Sequence, residues 1–309
     1  MSAEEAVVVV DIMCCACCGV AAIDDVKLKK CDGGCDLVKY CSVDCQENHK
    51  EQHEEECRKR KAQLRDKKLF TQPDGSYMGE CPLCCLPLSI DSTKSSIMPC
   101  CSKIICNGCN YANTNRENEQ GLQHRCAFCR EPAPKSDKEY EKRLMKRIKK
   151  HNDPVAMTQM AKEHYHKGDY GKALAYLTKA AELGEMAAHF CLGDLYYKGR
   201  GVEKDMAKAI HHLEKAAIGG HPDARVLLSD YEEGKGRPKR AAKHLIINAN
   251  LGCEPSLKFV KDFFVQGVVS KEEYAAALRG YQAAANETKS AEREKGEHIS
   301  GQLARMGLV

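Results

Sequence analysis

The sequence predicts a multidomain protein in which two small cysteine-rich modules precede an all-α solenoid of helical hairpins. Of the 20 cysteines, all but Cys191 and Cys253 lie before residue 130, and most fall in closely spaced pairs. Beyond residue 152 alanine and leucine increase, and similar glycine-ended segments recur at intervals of 36 and 32 residues. Paired thiolates favour tetrahedral zinc, and such intervals are typical of stacked helical hairpins. We therefore expect two zinc-stabilised modules followed by a repeat domain.

Length and charge exclude several classes of protein. A chain of 309 residues is long enough for two or three domains. The first 13 residues carry Glu4 and Glu5 and no basic stretch, so we expect no secretory signal. No apolar run approaches the ~20 residues that span a bilayer, so no membrane partner is expected. The net charge of +4 is dispersed, which argues against a nucleic-acid partner. Cysteines in metal-type pairs, without a secretory signal, predict a reducing compartment, cytoplasmic or nuclear.

The first module covers residues 14–57 and contains four groups of metal-binding side chains. In order these are Cys14-Cys15-Ala16-Cys17-Cys18-Gly19, Cys31 with Cys35, Tyr40-Cys41 with Cys45-Gln46, and His53 with Cys57. His53 and Cys57 are four residues apart, so on a helix both face the same ion. The pattern resembles a MYND finger. Interleaved pairing then assigns one zinc to Cys15, Cys18, Cys41 and Cys45, and a second zinc to Cys31, Cys35, His53 and Cys57.

Two alternatives stay open in this module. Cys14 and Cys17 have the same spacing as the assigned first pair, although Gly19 favours a tight turn after the later pair. His49 is also four residues from His53 and either competes for the ion or is a solvated helix residue. The resemblance implies a protein-binding module, often for short proline-containing peptides. Sites closed by four protein donors leave no position for a reacting water, so metal-assisted catalysis is not implied.

The second module covers residues 80–133 and contains four cysteine pairs. They are Cys81 with Cys84, Cys100 with Cys101, Cys106 with Cys109, and Cys126 with Cys129. If the pairs interleave, the first and third bind one zinc, and the second and fourth bind another. This arrangement resembles a RING finger of the eight-cysteine type, because Lys103 stands where most RING fingers have a histidine. His124 is the alternative ligand if the adjacent cysteines are too strained to share an ion.

The RING resemblance implies specific contacts with a ubiquitin-conjugating enzyme. Leu83 and Pro132 occupy the positions that form the enzyme-binding groove in such fingers, with Ile105 as a neighbour. Arg130 directly follows the last cysteine, where a basic linchpin residue touches both ubiquitin and the conjugating enzyme. Against this, the chain has no Trp, and Ala127 replaces a common proline.

The remaining segments are assigned by composition. Residues 58–79 form a basic helix and linker, whose basic cluster is either a nuclear address or a solvated helix face. Residues 134–151 form a charged connecting helix. Residues 152–286 form four helical hairpins, and residues 287–309 form a polar, frayed tail.

The repeats resemble Sel-one-like repeats, relatives of the tetratricopeptide repeat. The clearest match runs from Ala188 through Leu192-Gly193, Gly199-Arg200-Gly201 and Lys215-Ala216-Ala217. Apolar residues at helical spacing predict the facing stripes of its two helices, with Ala188, Cys191, Leu192 and Leu195 on the first and Met206, Ile210, Leu213 and Ala217 on the second. Such solenoids commonly bind proteins, so each hairpin is expected to pack on its neighbours and to present a partner surface.

Two functions are consistent with these modules. The preferred hypothesis is a RING-type ubiquitin-protein ligase with four zinc ions, which recruits protein substrates or peptide motifs through its MYND finger and repeats. Such an enzyme contributes no nucleophile and acts by positioning the loaded conjugating enzyme. The alternative is a non-catalytic zinc-binding scaffold for protein–protein interaction.

Overall fold

The computed structural model describes residues 13–22 and 26–305. The chain divides into two compact units, Met1–Thr71 and Gln72–Val309. The acidic N-terminal segment, for which no secretory signal is predicted, and the last four residues of the predicted tail lie outside the described residues.

The first unit is built from very short elements. Strands β1 (Lys29–Lys30) and β2 (Lys39–Tyr40) pair antiparallel, and helices α1 (Val43–Asn48) and α2 (Lys50–Leu69) follow. The Ser42 side chain begins α1 by accepting a hydrogen bond from the Cys45 amide at 3.1 Å. The buried core of this unit consists of Tyr40 and cysteines. A core this small requires another source of stability, which metal ligands can supply.

The second unit begins with the second cysteine-rich module. Its elements are a 3₁₀ turn (Ser92–Lys94), strand β3 (Ser95–Ile97), strand β4 (Ile104–Cys106) and helix α3 (Asn107–Glu119). Strands β3 and β4 pair antiparallel. The buried residues are again mainly cysteines, with Leu88 and Ile105 between them. We call residues 80–133 the cysteine-rich module from here on.

The rest of the second unit is helical. Its elements are α4 (Asp137–His151), α5 (Pro154–His166), α6 (Tyr170–Glu182), α7 (Met186–Lys198), α8 (Met206–Ile218), α9 (Pro222–Gly234), α10 (Pro238–Asn250), α11 (Glu254–Val265), α12 (Lys271–Glu287) and α13 (Ala291–Arg305). Helices α5 to α12 form four successive hairpins that stack on one another. In the described part of the chain, none of the helices is long and apolar enough to cross a membrane.

Small residues allow the paired helices to approach closely. A Cβ atom on Gly193 of α7 would lie 2.7 Å from the side chain of Leu213 on α8. On α8 the buried positions are Leu213 and three alanines, Ala209, Ala216 and Ala217. Met206 and Ile210, predicted for this stripe, are only half-buried. Short side chains therefore replace longer ones where the helices touch, because a close crossing has no room for them.

Helix α13 replaces the frayed tail that its polar composition predicts. It packs against α3 of the cysteine-rich module. The two helices meet at Gly108 and Gly296, where a Cβ atom on either glycine would lie within 3 Å of backbone atoms of the other helix. Arg293 of α13 is buried, with 5% of its surface exposed. The contact rests on glycines and one arginine, so apolar periodicity does not reveal it.

Candidate metal centres

The first unit brings eight metal-binding side chains together in two sets. The first set consists of Cys15, Cys18, Cys41 and Cys45, whose sulfur atoms lie within 4.8 Å of one another. The Cys18 and Cys41 sulfurs are 3.5 Å apart, and the Cys41 and Cys45 sulfurs are 3.6 Å apart. Of the two candidate pairs at the start of the module, the set contains the later one. Cys14 and Cys17 are exposed and lie outside it.

The second set consists of Cys31, Cys35, His53 and Cys57. The Cys35 sulfur lies 3.1 Å from Nε2 of His53, which is therefore the ring nitrogen directed at the set. His53 and Cys57 lie on consecutive turns of α2, as their spacing requires.

His49 lies outside the second set and supports it. Its ring stacks on that of His53 at a centroid distance of 5.8 Å, and its Nδ1 lies 3.0 Å from the Tyr40 hydroxyl. Tyr40 is 1% exposed, and this burial raises its pKa to about 12. The hydroxyl therefore keeps its proton, and its hydrogen bond with His49 positions the ring that stacks on the ligand His53. The spacing argument left His49 as either a competing ligand or a solvated helix residue, and missed this supporting role.

The cysteine-rich module forms two further sets of four sulfur atoms. One contains Cys81, Cys84, Cys106 and Cys109, and the other contains Cys100, Cys101, Cys126 and Cys129. Neighbouring sulfurs in these sets are separated by 3.9 Å for Cys84 and Cys106 and by 3.3 Å for Cys100 and Cys129. The first and third pairs share one set and the second and fourth share the other, which is the interleaved arrangement.

Both adjacent cysteines reach the same set because the chain turns sharply after them. Ser102 has a positive φ of 55°, and its amide donates to the Met98 carbonyl at 2.7 Å. His124 is directed elsewhere, with Nδ1 3.6 Å from a carboxylate oxygen of Glu117. The alternative ligand is thus outside the donor set that the structure forms.

All four sets fit zinc. Each offers four sulfur or nitrogen donors, and a tetrahedron with Zn–S bonds of ~2.3 Å has edges of about 3.8 Å. The observed separations of 3.3 to 3.9 Å between sulfurs are close to that value. With four protein donors each, the sets have the composition of closed structural sites.

One backbone turn recurs at three of the cysteine pairs. After Cys18, Cys84 and Cys129 the chain has a positive φ, of 75° at Gly19, 56° at Cys85 and 63° at Arg130. The amide of each of these three residues donates to the carbonyl of the first cysteine of its pair, at 2.9 to 3.0 Å. Glycine adopts this conformation without strain, whereas Cys85 and Arg130 do not. Their presence there points to a role for the side chain or for the neighbouring residues.

The two turns of the cysteine-rich module present equivalent side chains. Leu83 and Phe128 each precede the second cysteine of a pair, and both are 41% exposed. Pro87 and Pro132 each lie three residues after that second cysteine, in equivalent isolated β-bridges. Leu83 was a predicted contact residue, whereas Phe128 was missed. Comparing the two sequences, Cys-Pro-Leu-Cys-Cys-Leu-Pro and Cys-Ala-Phe-Cys-Arg-Glu-Pro, would have revealed the equivalence.

Arg130, the predicted linchpin, is held by helix α3. Its guanidinium donates to Asn113 Oδ1 at 2.5 Å and to Glu117 Oε1 at 2.7 Å. Glu117 has no exposed surface, and its other oxygen accepts from the Arg125 amide at 3.1 Å. Burial alone would raise the Glu117 pKa, but the hydrogen bonds from Arg125 and Arg130 outweigh it and lower the pKa. Arg130 therefore neutralises a buried carboxylate.

Ile105 is not part of an accessible groove, contrary to its assignment beside Leu83. It is completely buried on β4 among Cys81, Leu88 and Cys106. Pro132 is half-buried, and its carbonyl accepts a hydrogen bond from Arg143 of α4.

Replacing Arg130 with alanine is expected to destabilise the cysteine-rich module by about 1 to 3 kcal/mol, because it leaves the buried Glu117 carboxylate without its counter-ion. The partial exposure of Arg130 places the effect below that of a fully buried pair. Hydrogen exchange of α3 measures the change. Arg116→Ala on the same helix is the control, and equal protection of the two variants would contradict this account.

Three family resemblances were predicted, and comparison with known families supports two of them. Residues 15–57 match the MYND finger family, and residues 154–185 and 187–221 match the Sel1 repeat family. The chain contains a MYND finger and Sel1 repeats. These two resemblances are confirmed, whereas the RING resemblance of residues 80–133 stays a prediction.

Individual relatives match only part of the chain. The chain is 39% identical over 56 residues to the protein HcpC of Helicobacter pylori (strain J99 / ATCC 700824) and 40% identical over 67 residues to the alginate biosynthesis protein AlgK of Pseudomonas aeruginosa. These matches cover 18% and 21% of this chain and span 19% and 14% of those proteins. Among solved structures, a Sel1 repeat protein from Oxalobacter formigenes matches with 21% identity and a TM-score of 0.42, covering 63% of this chain and 86% of that one.

Proposed function

We propose that this protein is a zinc-binding scaffold for protein–protein interaction. The observation that carries the proposal is the composition of the four donor sets, each closed by four protein side chains. A metal held in this way stabilises a surface and leaves no position for a substrate. The MYND finger and the Sel1 repeats are elements that bind proteins. Because zinc binding requires thiolates in the reduced state, the proposal includes a reducing compartment, cytoplasmic or nuclear.

The MYND finger has a groove that suits a short peptide. A cavity of about 570 Å³ lies beside the second donor set and includes the exposed side chain of Val43. Gln46, which also lines it, accepts from the Asp32 amide and donates to the Asp32 carboxylate, so the groove wall is fixed before a ligand arrives. A pre-formed wall lowers the entropic cost of binding.

Selection of proline-containing peptides by the full zinc-loaded chain tests the scaffold proposal. Val43→Asp is expected to weaken the binding of the selected peptides at least tenfold, because it places a charge on the apolar part of the groove. Leu37→Asp is the control, since Leu37 is also exposed, at 51%, and does not line the groove. Equal binding by the two variants would show that the groove is not the binding site.

A second candidate function is that of a ubiquitin ligase, which the exposure of Leu83 and Phe128 favours. Exposed apolar residues on a small zinc-supported surface are typical of binding contacts. Four residues were predicted to contact the conjugating enzyme. Of these, Ile105 is buried and Arg130 is hydrogen-bonded to α3, and both observations argue against a ligase. A ligase would therefore depend on Leu83 and Phe128 more than on Arg130.

Single-turnover discharge of ubiquitin from a panel of loaded conjugating enzymes separates the two candidates. The scaffold proposal predicts no acceleration by the fully metallated protein. A ligase would accelerate discharge, and Leu83→Ala would reduce the rate at least tenfold. Leu122→Ala on the same module is the matched control, because Leu122 is likewise exposed and does not lie between the two cysteines of a ligand pair. Acceleration that Leu83→Ala abolishes and Leu122→Ala preserves would replace the scaffold with the ligase.

A further inference from the structure

The segment of residues 72–77 lies on one edge of the repeats. Successive hairpins are joined by short turns at residues 183–185, 219–221 and 251–253. Because consecutive helices run antiparallel, these turns all lie at the same end of the helices, and we call them the turn edge. Residues 72–77 contain no helix or strand, yet they contact this edge some 175 positions further along the chain.

The contact begins with the side-chain amide of Gln72. Its nitrogen donates to the Ile247 carbonyl at 3.4 Å, and its oxygen accepts from the Asn250 side chain at 3.2 Å. Both groups lie at the end of α10. The amide group of Gln72 donates one hydrogen bond and accepts another. This pair of bonds favours an amide over other side chains, since a carboxylate or a hydroxyl cannot make both bonds in the same geometry.

The backbone of the segment then passes directly over Gly220. This residue has a positive φ of 85°, and a Cβ atom on it would lie 2.6 Å from the Gly75 carbonyl oxygen and 3.2 Å from the Tyr77 amide nitrogen. The turn must therefore lack a side chain at this position. The requirement comes both from the turn itself and from the chain that crosses it.

The contact ends in an aromatic stack. The Tyr77 ring lies 4.4 Å from that of His221, which in turn lies 4.3 Å from that of Phe190. His221 is 4% exposed, and burial lowers its pKa to about 3, so it is a neutral ring at neutral pH. Burial also raises the Tyr77 pKa to about 12, so the phenol keeps its proton. The stack accepts a flat, uncharged side chain.

Space continues on both sides of this stack. Tyr77 lines a cavity of about 650 Å³ that extends towards α5 and one of about 1010 Å³ that extends towards α12 and α13. The lining of both is mixed, with serines, lysines and acidic residues beside a few apolar side chains. A bound segment is thus not restricted to the six residues seen here.

We propose that the turn edge is a binding surface for non-helical peptide segments that carry a side-chain amide and, five residues later, an aromatic residue, and that residues 72–77 occupy it in cis. The amide pair, the close backbone crossing and the aromatic stack each recognise a feature of such a segment. A partner segment of the same chemistry competes with residues 72–77 for this surface. The inference deepens the proposed scaffold function by giving the repeats a partner class, and it rests on that function only for the existence of such partners.

The test uses the full zinc-loaded chain and a fluorescein-labelled peptide of residues 72–79 as the probe, measured by fluorescence anisotropy. The double variant Gln72→Ala/Tyr77→Ala is expected to bind the peptide at least tenfold more tightly than the wild type, because the cis segment no longer competes at its high effective concentration. A peptide with alanine in place of the tyrosine is expected to bind at least tenfold more weakly. Adding Asn250→Ala to the double variant is expected to weaken binding several-fold.

Three results would overturn the proposal. Failure of the folded, metallated double variant to bind the peptide, or equally good binding of the alanine peptide, removes the binding surface. Equal affinity of the wild type and the double variant removes the cis occupancy. Gln72→Ala alone, at an exposed residue, replaces the double variant if the latter fails to fold, with the same criteria. Peptide binding at the MYND groove is measured in the same preparations, so failure here with binding there leaves the scaffold proposal intact.

Discussion

Replacing Cys126 with serine is expected to remove one zinc ion and to unfold the cysteine-rich module locally. Cys126 is 6% exposed and belongs to the donor set that includes the adjacent pair Cys100 and Cys101. A structural zinc contributes ~10 to 16 kcal/mol to the folding of a small module. That is as large as the ~5 to 15 kcal/mol by which whole domains are stable, so the module is expected to lose its fold without it. Hydrogen exchange of residues 95–132 together with zinc stoichiometry measures the effect.

Cys85→Ser is the matched control for this substitution. Cys85 lies in the same module, directly follows the ligand Cys84, and is exposed outside every donor set that the described residues form. The Cys85→Ser protein should therefore retain all its zinc and the hydrogen-exchange protection of this module. A Cys126→Ser protein with unchanged zinc content and unchanged protection would refute the assignment of this set.

Replacing Arg293 with alanine is expected to destabilise the contact between α13 and the cysteine-rich module by about 2 to 4 kcal/mol. The guanidinium donates to the carbonyls of Leu86, Pro87 and Thr288 at 2.7 to 3.1 Å. It also lies 3.3 Å from the sulfur of Cys84. The substitution removes this donor from all three carbonyls, of which Leu86 keeps the Cys81 amide, and it removes a positive charge beside a zinc ligand.

Two measurements follow the Arg293 substitution. Exchange protection of α13 reports the lost contact, and transfer of zinc to a chromogenic chelator reports the site. Loss of a hydrogen bond to a metal ligand typically costs 10- to 100-fold in metal affinity, so zinc transfer should become easier by about that factor. Lys295→Ala, at an exposed position on the same helix, should change neither. Identical behaviour of the two variants would show that Arg293 does not support the site.

The metal ligands were predictable because their chemistry is local. A pair such as Cys81 and Cys84 is separated by a fixed short distance along the chain, and tetrahedral coordination limits how such pairs combine. The repeats were predictable for a similar reason, since a glycine that ends one hairpin recurs at Gly184, Gly220 and Gly252. Both signals depend on residues close in sequence, and the family matches confirm the MYND finger at residues 15–57 and the Sel1 repeats.

The contacts that the sequence did not reveal join distant parts of the second unit. Helix α13 contacts α3 through Gly108 and Gly296 and buries a charged residue, Arg293, which is the opposite of an apolar stripe. Glu117 has the sequence context of an exposed helix residue, but the turn at Arg130 brings a counter-ion to it. Such charges are buried only because a polar partner from elsewhere in the chain binds them. That partner cannot be predicted from the residues next to the charge in the sequence.

Zinc content determined by native mass spectrometry tests the central claim most directly. The four donor sets predict a mass that corresponds to four zinc ions per chain, with three ions for Cys126→Ser and four for Cys85→Ser. Loss of ions on acidification should occur in the same protein, because thiolates must stay deprotonated to bind zinc. A wild-type protein that holds only two ions when fully reduced and supplied with zinc would contradict the account. Two of the four donor sets would then bind no zinc.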